Sequence, residues 1–152
     1  FFEQFVANGG TIVSSNGEVR RLVAVGDFAI GVTDTDDFNV AREEGRPVAA
    51  VYPDRDGFGT LLIPNAAVLI AGAPHPDAGR QFIDFLLLPK TEQALAESPA
   101  AQMPLRAGVP KPAHVRAAAD IEPMQVDYGA LATQLEELSS GFLAEWVARH
   151  AR

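Results

Sequence analysis

Cysteine is absent from the 152-residue chain. That excludes disulfides, thiolate metal sites and cysteine nucleophiles, and it leaves the redox compartment open. Positive charge is scarce: twelve Lys and Arg face twenty Asp and Glu, for a formal net charge of -8. Such a balance argues against nucleic acid or an anionic membrane as partner and suits a cationic ligand or an ordinary acidic surface. Long apolar runs are missing too. The longest, residues 61–73, is broken by Pro64 and Asn65 and is too short for a bilayer, so the chain reads as soluble. Residues 1–10 lack the basic segment and apolar core of a signal peptide. Phe1-Phe2 instead reads as the middle of a helix, which leads to the expectation that the chain is a piece of something longer.

Catalytic signatures are equally sparse. His75, His114 and His150 are scattered and have no metal-ligand spacing such as an i, i+4 pair. There is no G-x-S-x-G elbow and no phosphate-binding P-loop. In "GFGTLL" a dinucleotide fingerprint fails, because Leu62 stands where the third glycine belongs. Calcium loops fail as well. "DTDDFNVAREEG" has Phe38 and Gly45, and "DRDGFGTLLIPN" has Phe58 and Asn65, at positions that require an oxygen ligand and a glutamate.

What is present is a globular composition, 47% hydrophobic, in a length that fits one domain or two small lobes. Residues 1–8 read as a helix stopped by Gly9-Gly10. Ser15 and Glu18 have capping-box spacing ahead of the apolar Val19, Leu22 and Val23, which predicts a helix to about Gly26. Phe28, Ile30 and Val32 alternate as in a strand, Asp36 or Asp37 caps a helix running to Gly45, and "PVAAVYP", 47–53, reads as the next strand. This alternation predicts an α/β fold with a mainly parallel sheet. Beyond the extended stretch 59–72, His75-Pro76-Asp77 opens a helix expected to bury Phe82, Ile83, Phe85 and Leu86. A second helix spans 91–98, and a proline-rich connection follows. Asp127 caps a last helix with Leu131, Leu135, Leu138, Phe142 and Trp146 on one stripe, read as core packing.

The polar feature that stands out is "GVTDTDDFNVAREEG", 31–45, where Asp34, Asp36 and Asp37 meet at a strand end and a helix start. One aspartate caps a helix for about 1 kcal/mol, and further carboxylates in the same turn mainly repel one another. In an open α/β sheet this is also the position at which ligands bind.

Three stretches together resemble a known family: "NGEVRRLVAVGDFAIGVTDTDDFNVAREEGRPVAAVYPD", "GTLLIPNAAVLIAGAPHPDAGRQFIDFLLLPKTEQALAE" and "MPLR". Their order is similar to that in the later half of the bacterial ABC-transporter solute-binding proteins, in the ferric-iron-binding branch of family 1. The resemblance is good over residues 1 to about 110 and looser in the tail. It implies the later half of a two-lobed, type II periplasmic-binding-protein-like α/β fold. Residues 1–57 would form part of the second lobe, 58–107 the hinge crossing and part of the first, and 108–152 a helical return to the second. By the same resemblance the protein would be a non-enzymatic receptor, periplasmic or extracellular and lipid-anchored in a longer precursor. It would need no cofactor, would hand a small, cationic solute such as transported Fe(III) to a membrane permease, and would not bind nucleic acid. Thr33, Asp34, Thr35, Asp36, Asp37, Thr60 and Asn65 would line its cleft, with Asp34 and Asp36 as metal ligands. Ferric-binding relatives carry two adjacent tyrosines where this chain has Thr35 and Asp36; carboxylates are also hard oxygen ligands, suited to Fe(III) or to an ammonium group.

Two other classes stand beside this one. A metal-dependent hydrolase or phosphoryl-transfer enzyme would use Asp34, Asp36 and Asp37 as ligands or bases, and a structural module would use them only as caps. A ligand screen without turnover separates receptor from enzyme. With half of a two-lobed fold absent, apolar segments are expected to drive a dimer through swapped or exposed elements.

Overall fold

The computed structural model describes residues 1–150. They form two compact units, one of Phe1–Thr33 with the chain from Gln125 onward, the other of Asp34–Met124.

In the first unit, α1 is Phe2–Ala7 and α2 is Asn16–Val25. The Ser15 side chain accepts from the Glu18 amide at 3.2 Å, so the predicted cap forms and fixes where α2 starts. Residues 28–33 then run extended, and Gly31 lies against Val19 and Val23 of α2. The chain re-enters this unit and forms one long helical rod: α6, Tyr128–Glu137, a π-helical turn, Leu138–Phe142, and α7, Leu143–His150. Asp127 caps α6 by accepting from the Ala130 amide at 2.9 Å, as its sequence position predicts. Within the rod, the Ser139 and Ser140 hydroxyls both donate to the Glu136 carbonyl, at 3.3 and 2.5 Å. Such competition for a backbone acceptor, next to Gly141, favours a local change of pitch. Trp146 is the buried anchor of α7, its ring 4.9 Å from Phe2 and 6.5 Å from Phe5.

The second unit holds α3, Thr35–Glu43, then α4, Pro76–Leu86, α5, Pro89–Glu97, and a 3-10 turn at Ala118–Asp120. Its centre is small: Ala96, Ala101 and Val115 cluster, with Ala41 and Ile121 also buried. Asn39, 1% exposed, donates to the Pro99 carbonyl at 3.0 Å and accepts from Arg42. A buried amide satisfied in this way ties α3 to the loop after α5. Glu92 of α5 holds the "MPLR" stretch. Its carboxylate accepts from the Leu105 and Arg106 amides and pairs with the Arg106 guanidinium at 3.1 Å, while Pro104 is fully buried.

Three expectations are corrected here. First, the described residues are mostly helical and carry no strand ladder, only one isolated parallel bridge between Thr60 and Pro123. Residues 28–33, 47–53 and 59–70 are extended or irregular and, apart from the bridge at Thr60, form no strand. Alternation predicts an extended segment, whereas a strand also needs a partner, and Ile30 and Val32 stand 85% and 87% exposed. Second, the helix after the aspartates starts earlier than expected, and its cap is Asp34 rather than Asp36 or Asp37. Third, apolar periodicity overstates burial. Phe82 and Phe85 of α4 are half-exposed, as are Leu131, Leu135 and Phe142 of the long rod, and only Trp146 of that stripe is buried.

Candidate functional site

The start of α3 is built by Asp34. Its backbone is extended, at φ -98° and ψ 176°, and its Oδ1 accepts from the Asp37 amide at 3.3 Å. This fixes the first helical turn as Thr35-Asp36-Asp37, with acidic side chains placed favourably against the helix dipole. Asp36 then meets Asp34 side chain to side chain. That hydrogen bond, with partial burial and the Asp34 charge, raises the Asp36 carboxyl pKa above the ordinary aspartate value. The two carboxyls therefore crowd negative charge at one turn, and ionising the second is harder than ionising a separate one.

Thr35 also faces a recess, shared with Phe38, Asn39, Tyr52, Ala101, Met103, His114, Val115 and Arg116. Its free volume is about 10 Å³, close to the space one water needs. The Arg116 guanidinium lies 5.0 Å from the centroid of the Tyr52 ring. Burial pushes the Tyr52 hydroxyl pKa up, opposed by the Arg116 charge.

The other residues expected at the cleft lie in different surroundings. Thr33 belongs to the first unit, where its hydroxyl donates to the Asn16 carbonyl at 3.5 Å. Thr60 donates through its hydroxyl to Pro53 O at 2.8 Å, and its backbone pairs with Glu122 and Met124. Asn65 donates to Gln102 Oε1 at 2.6 Å. Only Thr35 of the expected set lines the recess. Among the described residues no three His, Cys, Asp or Glu side chains converge into a metal-holding group, so Asp34 and Asp36 form a pair. Tyr52, His114 and Arg116 carry no signal in sequence, because a cation–π stack has no fixed spacing.

A family model for bacterial extracellular solute-binding proteins matches residues 1–123. The chain belongs to this family. No curated protein and no solved structure matches it. The family is one of extracellular solute-binding proteins and is generally non-enzymatic, with a small solute and an ABC permease as its general partners. No helix among the described residues is long and apolar enough to cross a membrane.

Proposed function

We propose that this solute-binding family member captures a small solute carrying a cationic group, and that the Asp34–Asp36 carboxyl pair at the start of α3 receives that group. The observation that carries the reading is the side-chain contact between the Asp34 and Asp36 carboxyls at the start of α3. Two carboxyls in contact concentrate negative potential, and an ammonium group or a hard metal ion relieves it. Fe(III), the cargo suggested by the ferric-branch resemblance, is one such ion; with only two carboxylates here, it would draw further oxygen ligands from the solute or from water. The two-lobed α/β architecture, with lobe boundaries near 57 and 107, belongs to the same proposal. It is supported by the family match and by the extended apolar character of 28–33, 47–53 and 59–70. Transfer to an ABC permease from a periplasmic or lipid-anchored position follows from it.

The pair predicts a pH dependence. Because the Asp36 pKa is raised in the fold, the folded chain binds a proton that the unfolded chain has already released. Its contribution to stability is thus present below the ordinary aspartate pKa and lost as pH rises through the raised value. Cation binding runs the opposite way: the cation displaces the proton, so affinity increases over that same window. Asp36→Asn is expected to weaken binding of ethylammonium or Fe(III) about tenfold while leaving stability at pH 7 unchanged or slightly improved. Calorimetric titration at pH 4.5 and pH 7, with chemical denaturation of both proteins, checks it. Equal cation binding by Asp36→Asn and the parent chain would remove the pair from the site.

The same architecture implies association. Val68 and Ile70 are mostly exposed, Leu61 and Leu69 partly so, in a segment that forms no strand among the described residues. Unpaired apolar extended segments recruit other chains. The apparent mass from light scattering is expected to rise with concentration, and Ile70→Lys is expected to flatten that rise. A monomer at every concentration would count against sheet completion by a second copy.

A further inference from the structure

The recess beside α3 has a cationic wall that the cation-binding reading does not use. Several basic side chains find carboxylates, among them Arg21 with Glu18, Arg46 with Glu44, Arg80 with Asp77, Arg106 with Glu92 and Lys111 with Asp120. Among the described residues Arg116 has no carboxylate within ion-pair distance, in a chain where acids outnumber bases twenty to twelve. Among the described residues its recorded partner is the Tyr52 ring, 5.0 Å away. A guanidinium held over an aromatic ring keeps its N–H donors in its own plane, pointing outward at its edge, where they match the two oxygens of a carboxylate. The adjoining space is water-sized and is also lined by Thr35, Asn39 and His114. It therefore admits one oxygen-bearing group and not a whole molecule.

We propose that Arg116, stacked on Tyr52, is the subsite for a carboxylate of the captured solute. Thr35 lines this recess and stands in sequence between Asp34 and Asp36, which do not line it, so the recess and the carboxyl pair share the first turn of α3 on different sides. The solute class is then amphoteric: a small amino acid or related zwitterion, its carboxylate on Arg116 and its ammonium on the carboxyl pair. A free anion gains little against a net charge of -8, whereas a zwitterion satisfies both ends. The choice of an amphoteric solute rests on the solute-capture reading, while the carboxylate subsite is tested without it.

The test uses the 152-residue chain, with the Arg side-chain Nε–H resonances followed by nitrogen-15 NMR during titration with acetate, ethylammonium and β-alanine. Acetate is expected to shift the Arg116 resonance saturably, and β-alanine to bind about tenfold more tightly than acetate. Arg116→Gln is expected to weaken acetate and β-alanine about tenfold while leaving ethylammonium unchanged. Arg116 is exposed, so this variant is expected to retain the parental unfolding midpoint. Tyr52→Leu removes the stacking ring and should weaken acetate severalfold, whereas Tyr52→Phe keeps the ring and should not. If acetate gives no saturable shift, or binds Arg116→Gln as well as the parent chain, the subsite is overturned. Unchanged ethylammonium binding in Asp36→Asn alongside acetate binding that is lost in Arg116→Gln would mean that the cation reading fails while this subsite stands.

Discussion

Trp146→Ala is expected to lower stability by about 3–5 kcal/mol, the range for deleting a large buried aromatic side chain. Trp146 is the chain's single tryptophan and is 4% exposed. Its ring sits between Phe2 and Phe5 of α1 on one side and His150, 5.2 Å away, on its own helix. The neighbouring Phe2 and Phe142 are part-exposed and free to settle toward the void, which places the cost toward the lower end. The indole N–H has no hydrogen-bond partner among the described residues and is itself a penalty, since an orphaned buried donor costs about 1–3 kcal/mol. Trp146→Phe removes that donor while keeping an aromatic body. It is expected to cost well below half as much as the alanine change. Urea denaturation followed by circular dichroism serves for all three proteins, because the fluorophore is lost in both variants. Equal losses for Phe and Ala would mean that the indole's second ring carries the packing. A loss under about 1 kcal/mol for Ala would mean that the α1–α7 aromatic cluster is not a core.

That contrast shows what was legible in the sequence. Chemistry confined to one turn could be read directly: Ser15 and Asp127 cap the helices that their spacing announces, and Pro76 opens α4. The stripe from Leu131 to Trp146 was legible as a helix face but not as a core, because periodicity reports which residues share a side and not what covers it. Residues 28–33 failed for a related reason: alternation gives an extended backbone, while a strand depends on a partner supplied from elsewhere. At the aspartates the error was one of placement. Three neighbouring carboxylates compete to cap one helix, and Asp34 takes the role, which leaves Asp36 in side-chain contact with it and its pKa raised. Tyr52 and Arg116 are distant in sequence and meet only through the packing of Asp34–Met124.

Gly59→Ala is expected to destabilise the second unit by roughly 2–5 kcal/mol and to weaken the Arg116 subsite with it. Gly59 is buried at φ +85°, a left-handed conformation that costs an ordinary residue about 1–2 kcal/mol. A Cβ there would stand 2.7 Å from the Pro123 carbonyl carbon and 2.8 Å from the Met124 nitrogen. Both are backbone atoms and cannot rotate away, so overpacking adds about 1–3 kcal/mol. The same backbone carries the Thr60–Pro123 bridge, through Thr60 N to Glu122 O and Met124 N to Thr60 O, both at 2.9 Å. Pushing these segments apart also strains the Thr60 hydroxyl's bond to Pro53 O, next to Tyr52 in the chain. The stacking platform for Arg116 would then lose its position without any change to Arg116 itself. Gly72→Ala separates the two costs, because Gly72 has φ +75° but no atom within 4 Å of a new Cβ. It should show the conformational cost alone, about 1–2 kcal/mol, with acetate binding unchanged. If the two alanine variants lose equal stability and bind acetate equally, the close approach at Pro123 holds neither the unit nor the Tyr52 platform.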